Sequence, residues 1–499
     1  MPTTTLADRW SVSSAAVTLV PSGSGRPPAL HPVDSLFPAV FARLRRYLLT
    51  GGVDTVPALS TPVTVADAGP VRDAIARDSL RVVAETLAAT AATPLRPEPL
   101  LLALAMCSAT DDDLTRRAAL TALPRVARTS RDLFLFASYV QGLRGWGRGL
   151  RRAIGAWYNE RPLPKLVDEV LVTPSHAGWR HADLLRLGHP KASTPGHDAL
   201  YRWLVTGSLP IDLVPSAEDA PALGRLNAWT RLQETTNGAE AAELIATYGL
   251  PMAAVPEALR VDATVWSAHV ANLSVANVVL AIPDLVRAGT MADSDSVSSS
   301  IATRLTDDLG GVDPMALVAA LRSLSETPEF TDLRTTLASR LVVAARRWAR
   351  SAGTHVRLAI DPVVVDMPAS ADGIRPLDVA ALLVLAGALA GWPDPVVAGD
   401  QLVPVSLPAR PTLDEAYAAV IGACTKTRSA RAGRGPILAL ADGPAVDGAG
   451  LTVEFVSRPP SGLQRQRHPS GIVVAGIDAS AIRIASRLFT LPRDEPTVP

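Results

Sequence analysis

Arg148, Arg151 and Arg152 stand at i, i+3 and i+4 in GLRGWGRGLRRAIGAWYNE (Gly142–Glu160), a spacing that puts three cations on one face of a helix. A second cluster follows in GWRHADLLRLGHPKAS, with Trp179, Arg180, His181, Arg186, His189 and Lys191. Between Asp111 and Asp198 there are 14 Lys+Arg against 9 Asp+Glu, so a neutral chain concentrates positive charge around these two motifs. Cations interleaved with aromatic rings supply phosphate contact and base stacking, the chemistry of a nucleic-acid surface. The alternative is a solvated arginine face with Trp146 and Trp157 in the core. Gly145, Gly147 and Gly149 each cost a helix about 1 kcal/mol relative to alanine, so close approach of a backbone or ligand is expected there.

Other chemistries lack their residues. No Gly-Lys dipeptide occurs, which removes a phosphate-binding loop of the GxxxxGK type, and there is no HExxH. Ser24 lies in Gly-Ser-Gly, but within a Ser/Thr/Pro/Gly-rich tail that cannot fix an oxyanion hole. His176, His181 and His189 form a loose cluster without clear ligand spacing. Cys107 and Cys424, the only two cysteines, suit a reducing compartment rather than a disulfide framework. The expectation is a non-enzymatic protein without a cofactor.

The elements that must position these residues follow from periodicity. At 499 residues the chain exceeds one ordinary core, and its 48 basic and 48 acidic residues cancel, so any anion binding must come from a local patch. Only three cations are lysines (Lys165, Lys191, Lys426). Residues 1–35 read as a flexible tail with no signal-peptide pattern, and a cytoplasmic location is expected. The longest apolar run, Val379–Trp392, falls short of the roughly 18–20 residues that span a bilayer and reads as a buried helix. Three-four spacing marks helices at Leu36–Leu49, Val71–Ala92, Pro97–Ala109, Asp111–Ala127, Ser130–Leu143 and Gly147–Tyr158. Gly238–Tyr248, Thr264–Ala271, Val275–Ala288 and Pro314–Leu324 continue the pattern. Paired helices with short links predict HEAT-like repeats over residues 36–350.

The texture then changes. His355–Asp361, Val396–Val405, Pro436–Asp442, Leu451–Val456 and Gly471–Ile477 read as strands, alternating with helices at Pro376–Ala390, Thr412–Ala423 and Ala479–Leu488. Residues 351–499 are therefore expected to form a doubly wound α/β domain with a mostly parallel sheet. Its ligand edge would lie near Asp361 and Asp442.

The two cationic motifs resemble the signature of the TROVE domain of the Ro autoantigen family. Trp146-Gly147-Arg148, Arg151, Ile154 and Trp157-Tyr158-Asn159-Glu160 stand in the family's order, as do Gly178-Trp179, His181, Asp183–Leu187 and His189. Glu98–Asp112 and Arg131–Phe136 fit as well, and the resemblance covers roughly residues 36–350, weakening after about 220. It implies a ring of helical repeats that binds small noncoding Y-like RNA on its outer face and single-stranded ends of misfolded RNA in its hole. It also implies that His181 lies on an RNA-contacting helix, and that an exoribonuclease is a partner. On this reading RNA would meet Arg148, Arg151, Arg152, Trp179, Arg180, His181, Arg186 and Lys191. The chain departs from the family at Leu171–His176, where a basic run is replaced by LVTPSH, and at Asn277–Ile282, where an Arg-Asn pair is absent. Each missing cation removes about one phosphate contact.

Gly476–Phe489 resembles the last strand-to-helix passage of the von Willebrand factor A-type domain that follows the ring in this family. Such domains hold Mg²⁺ through Asp-x-Ser-x-Ser, a threonine and a further aspartate. Here Asp361, Thr412 and Asp442 occupy the matching positions, but Val363 and Val365 replace both serines and offer no oxygen to a hard cation. The site is expected to be vestigial, with no metal bound. The functional expectation is binding of small noncoding or misfolded RNA, with tethering of that RNA to a nuclease. Its alternative is a protein-interaction or self-assembling scaffold with vestigial RNA binding.

Overall fold

A computed structural model describes residues 38–426, except 54, 58, 60, 211, 213, 292–294, 307–311, 325–327, 353–355, 361–368, 370–372, 393–394 and 399–401. Beyond 426 it describes three strands and residue 484. The expected tail, Asp361, Val363, Val365 and most of the expected final helix lie outside the described residues. The chain divides into two compact units. The first comprises the described residues up to Leu223 without 54–61; the second comprises 54–61 and the described residues from Gly224 onward. This division falls at 223/224, whereas the change of sequence texture lies near 350.

In the first unit the helices are α1 (Pro38–Thr50), α2 (Gly69–Ala91), α3 (Glu98–Ser108), α4 (Asp113–Val126) and α5 (Ser130–Leu143). They are followed by α6 (Arg148–Asn159), α7 (Leu163–Val172), α8 (His181–Gly188) and α9 (Pro195–Thr206). Polar caps fix their starts. Asp112 accepts from Leu114 N and Thr115 N at the head of α4, and these hydrogen bonds, with that from the Thr115 hydroxyl, lower its pKa. At α5, Asp132 N donates to Thr129 Oγ1 while the Asp132 carboxylate accepts from Thr129 N, a reciprocal capping box. α1 to α4 pack each on the next, and alternate members pack as well, α3 with α5, α4 with α6 and α6 with α8, which is how stacked hairpins bury one continuous core.

The second unit begins its helices with α10 (Ala220–Glu234, spanning the division), α11 (Gly238–Tyr248), α12 (Ala263–Asn272) and α13 (Val275–Arg287). Then come α14 (Asp295–Arg304), α15 (Pro314–Ser323) and α16 (Thr331–Ala352), which extend the helical repeats. The α/β part carries α17 (Pro376–Ala390) and α18 (Leu413–Lys426). Residues Val379–Ala386 of α17 are all buried, as the long apolar run requires, and the helix packs against both α16 and α18. Among the described residues, no helix is long and apolar enough to cross a membrane.

A seven-stranded sheet belongs to the second unit. Its strands are β1 (Thr55–Pro57), β4 (Val356–Ile360), β5 (Val396–Ala398), β6 (Leu402–Pro404), β7 (Leu438–Asp442), β8 (Thr452–Val456) and β9 (Gly471–Ala475), while β2 (Ser175–His176) and β3 (Trp179–Arg180) form a hairpin in the first unit. The sheet order is β1-β9-β8-β7-β4-β5-β6. The expected mostly parallel sheet is corrected to a mixed one. β1/β9, β8/β9 and β4/β5 are parallel, whereas β7 runs against both β4 and β8, and β6 against β5. What was read as one strand, Val396–Val405, is the antiparallel pair β5/β6. The reversal of β7 sets Asp442 opposite Val356, at the start of β4.

Candidate nucleic-acid interface

The WYNE motif at the end of α6 is a packing device. Trp157 is fully buried and donates from Nε1 to the Ala127 carbonyl at 2.7 Å. The Arg161 guanidinium lies 3.6 Å from the centre of the Trp157 ring and donates to the carbonyls of Trp157 and Ala127. Burial lowers its pKa to about 10. Asn159 fixes the chain after α8: its Nδ2 donates to Lys191 O at 2.9 Å, and its Oδ1 accepts from Ser193 N and from the Tyr201 hydroxyl.

His181 is not on the surface. It is 1% exposed, at the start of α8, with its ring 4.8 Å from that of Phe134. Its Nε2 lies 3.1 Å from the Thr173 carbonyl, which can only accept, so the proton sits on Nε2. Nδ1 then accepts from the Tyr158 hydroxyl at 2.8 Å. Burial holds the ring neutral, with its pKa pushed down to about 4, and pushes that of Tyr158 well above the usual phenol value. The resemblance implied an RNA-contacting helix here; in the structure the His181 side chain is a buried link between α6, α8 and the end of α7. His197, also buried, is satisfied in the same way by Arg161 O and the Thr194 hydroxyl.

Trp179 is likewise removed from solvent, 9% exposed and 5.3 Å from Trp146 between ring centres. It is not available as a stacking platform in this structure. Its position comes from the β2/β3 hairpin, whose two-residue turn, Ala177 and Gly178, takes positive φ of 51° and 81°. That is the turn geometry that matches strand twist, and glycine supplies the second position without strain.

The remaining expected residues are on the surface: Arg148, Arg151, Arg152, Arg180, Arg186 and Lys191 are all exposed. Arg180 pairs loosely with Asp183 at 3.9 Å, and Arg186 donates to Val205 O at 3.2 Å. Among the described residues, no carboxylate forms an ion pair with Arg148, Arg151, Arg152 or Lys191, although Arg116, Arg202 and Arg231 each have one within reach. α6 exposes its arginines because Leu150, Ala153, Ile154 and Trp157 occupy the opposite, buried face. At Gly149 a Cβ would lie 3.0 Å from Leu120 Cδ1, so the close neighbour is a side chain rather than the expected backbone or ligand. Gly147 is the N-cap of α6, and a Cβ on Gly145 would meet nothing within 4 Å.

A surface cleft of about 260 Å³ opens between α6 and the chain that follows α8. Arg151, Arg152 and Asn159 line one side, and His189 and Lys191 the other. Gly155, Gly188 and Pro190 form part of its wall. A Cβ on Gly155 would lie 3.2 Å from Pro190 Cβ, so this glycine lets the two walls meet at their base. His189, with φ of 45°, ends α8 in the left-handed conformation and turns the chain toward Lys191. Sequence reasoning passed over Asn159, Gly155 and Gly188; the only signal was Asn159 in WYNE.

Among the described residues, no group of three His, Cys, Asp or Glu is arranged to hold a metal. Thr412 caps α18: its hydroxyl accepts from Glu415 N at 3.3 Å, and the Glu415 carboxylate accepts from Thr412 N at 2.8 Å.

No family model matches the chain. The RNA-binding protein RO60 of Deinococcus radiodurans is 30% identical to it over 399 residues, which cover 75% of this chain and 73% of that protein. RO60 of Caenorhabditis elegans, also named an RNA-binding protein, is 38% identical over 84 residues, 14% of this chain and 13% of its own. Among solved structures, the crystal structure of the D. radiodurans RO (RSR) protein is similar in fold, with a TM-score of 0.73 at 22% identity. That similarity covers 90% of this chain and 99% of the other.

Proposed function

This chain belongs to the TROVE-domain Ro family, and from that premise we propose that its first unit binds small noncoding or misfolded RNA without chemistry, through the exposed cations of α6 and the segment after α8. One observation carries the reading. Arg148, Arg151, Arg152 and Lys191 face solvent with no carboxylate paired to them among the described residues, whereas Arg116, Arg202 and Arg231 each lie within reach of one. Guanidinium forks left open in this way suit phosphate oxygens bidentately. Arg180 and Arg186 extend the same surface; His181 and Trp179 act beneath it, by holding α8 in place. The RNA class follows the family: Y-like RNA, or single-stranded ends passed to an exoribonuclease.

The test is a gel shift with a Y-like RNA at about 50 and about 200 mM salt, with R148A/R151A/R152A alongside the unaltered protein. The expected outcome is strong binding that weakens steeply with salt. The variant's logarithmic salt slope should be shallower by roughly 0.7–0.9 for each phosphate it no longer neutralises. Equal binding by the triple variant, or no shift by the unaltered protein at the lower salt, overturns the reading.

A further inference from the structure

The cleft between α6 and residues 188–191 has a chemistry narrower than a general RNA face, and we infer that it is a subsite for the terminal phosphate of an RNA strand. The inference rests on the proposed RNA binding and specifies one part of it. Its charge is one-sided: Arg151 and Arg152 face His189 and Lys191 across about 260 Å³, and no carboxylate lines it. Its polar capacity is one-sided too. Asn159 is the only amide in the lining, and both ends of it are already engaged, Oδ1 with Ser193 N and the Tyr201 hydroxyl, Nδ2 with Lys191 O. The rest of the wall is Gly155, Ala156, Gly188 and Pro190, whose side chains have nothing with which to read a base edge. A cleft of this kind recognises charge and oxygen geometry rather than sequence.

The charge count selects among phosphates. An internal phosphodiester carries one negative charge, whereas a phosphate monoester carries about −1.5 to −2 near pH 7 and presents three strong acceptor oxygens. Two arginines and a lysine converging on one small volume match the monoester, with each guanidinium able to take two of its oxygens. Asn159 clamps the backbone of Lys191 and Ser193 to α6, and the left-handed turn at His189 sets the course of that backbone along the cleft.

The experiment measures affinity of the full chain for one single-stranded RNA oligonucleotide in three forms: 5′-phosphate, 3′-phosphate, and hydroxyl at both ends. The expected result is about tenfold tighter binding of one phosphorylated form over the hydroxyl form, the effect of one added charge-assisted contact. Which form gains identifies the end that is held. Lys191→Ala, at an exposed position, should bring that ratio close to one, and Gly155→Ala, which narrows the cleft against Pro190, should reduce it. Equal affinity for all three forms overturns the terminal-phosphate inference and leaves the RNA-binding reading standing. A preference that persists unchanged in Lys191→Ala places the phosphate elsewhere and overturns the inference as well. Failure of all three forms to bind overturns both.

Discussion

Each unit buries a polar residue at a junction of helices, and the two are treated in opposite ways. In the first, His181 is held neutral between the Tyr158 hydroxyl and a carbonyl, and the arginines of α6 stay outside. In the second, Asp378 of α17 is fully buried and meets Arg322 at 2.7 Å, Arg375 at 3.1 Å and the Tyr417 hydroxyl at 2.8 Å. That one carboxylate ties α15 and α18 to α17. Burial, then the neighbouring Asp378, pushes the Tyr417 phenol well above its usual value, so it remains a donor. The junction in the first unit is neutral, whereas that in the second is a carboxylate with two arginines beside it.

The comparison can be broken at several points, beginning with the largest effect. Asp378→Ala should lower stability by about 3 kcal/mol, the lower end for a broken buried pair, because the side chains of Arg322 and Arg375 are 33% and 38% exposed and can turn to water. Denaturant unfolding measures this, and a change within experimental error would show that Asp378 is no hub.

The second effect depends on pH. His181 has a folded pKa of about 4 against 6.5 for a free imidazole, so between those values the unfolded chain binds a proton that the folded chain refuses. Stability is complete above about 6.5, falls as pH drops toward 4, and is flat with respect to this group below that. The total is up to about 3 kcal/mol. Unfolding curves from pH 7 to 4.5 should show this slope, and His181→Gln should remove its share; an identical slope in both proteins contradicts a buried neutral histidine.

Tyr158→Phe comes next. It leaves His181 Nδ1 without a donor inside the core and should cost about 1–3 kcal/mol, read as a lowered midpoint of thermal unfolding. Smallest on stability is R148A/R151A/R152A, expected within about 0.5 kcal/mol of the unaltered protein because these side chains are exposed. Its effect should fall on RNA affinity instead. A large loss of stability there would turn the open cations into structural ones.

The sequence was most legible where local chemistry fixes a boundary. α11 and α17 have the limits their patterns predicted, because Asn237 caps one and Pro376 opens the other, with Gly249 and Gly391 closing them at positive φ. Strand direction was not legible, since a period of two carries no sign, and so β7 was read as parallel. β1 has only three residues, too few to form a pattern, and it pairs with a strand more than four hundred positions away. His181 was misread for a related reason. In HADLLRLG it looks like the polar residue that opens a helix, and Tyr158, which claims it, lies 23 positions earlier. The exposed arginines were legible because the apolar stripe of α6 leaves them one direction to point.

β1 has a consequence for taking the molecule apart. Residues 55–57 form the outer strand of a sheet whose other six strands all follow Arg350, so no single cut yields the second unit whole. A fragment starting at Gly224 would present β9 with a bare row of backbone donors and acceptors, an invitation to pair with another copy of itself. A nick in the loop after β1 should be better tolerated than loss of the residues before it. The sheet is closed by an early strand, which can find its neighbour only after β9 has been made.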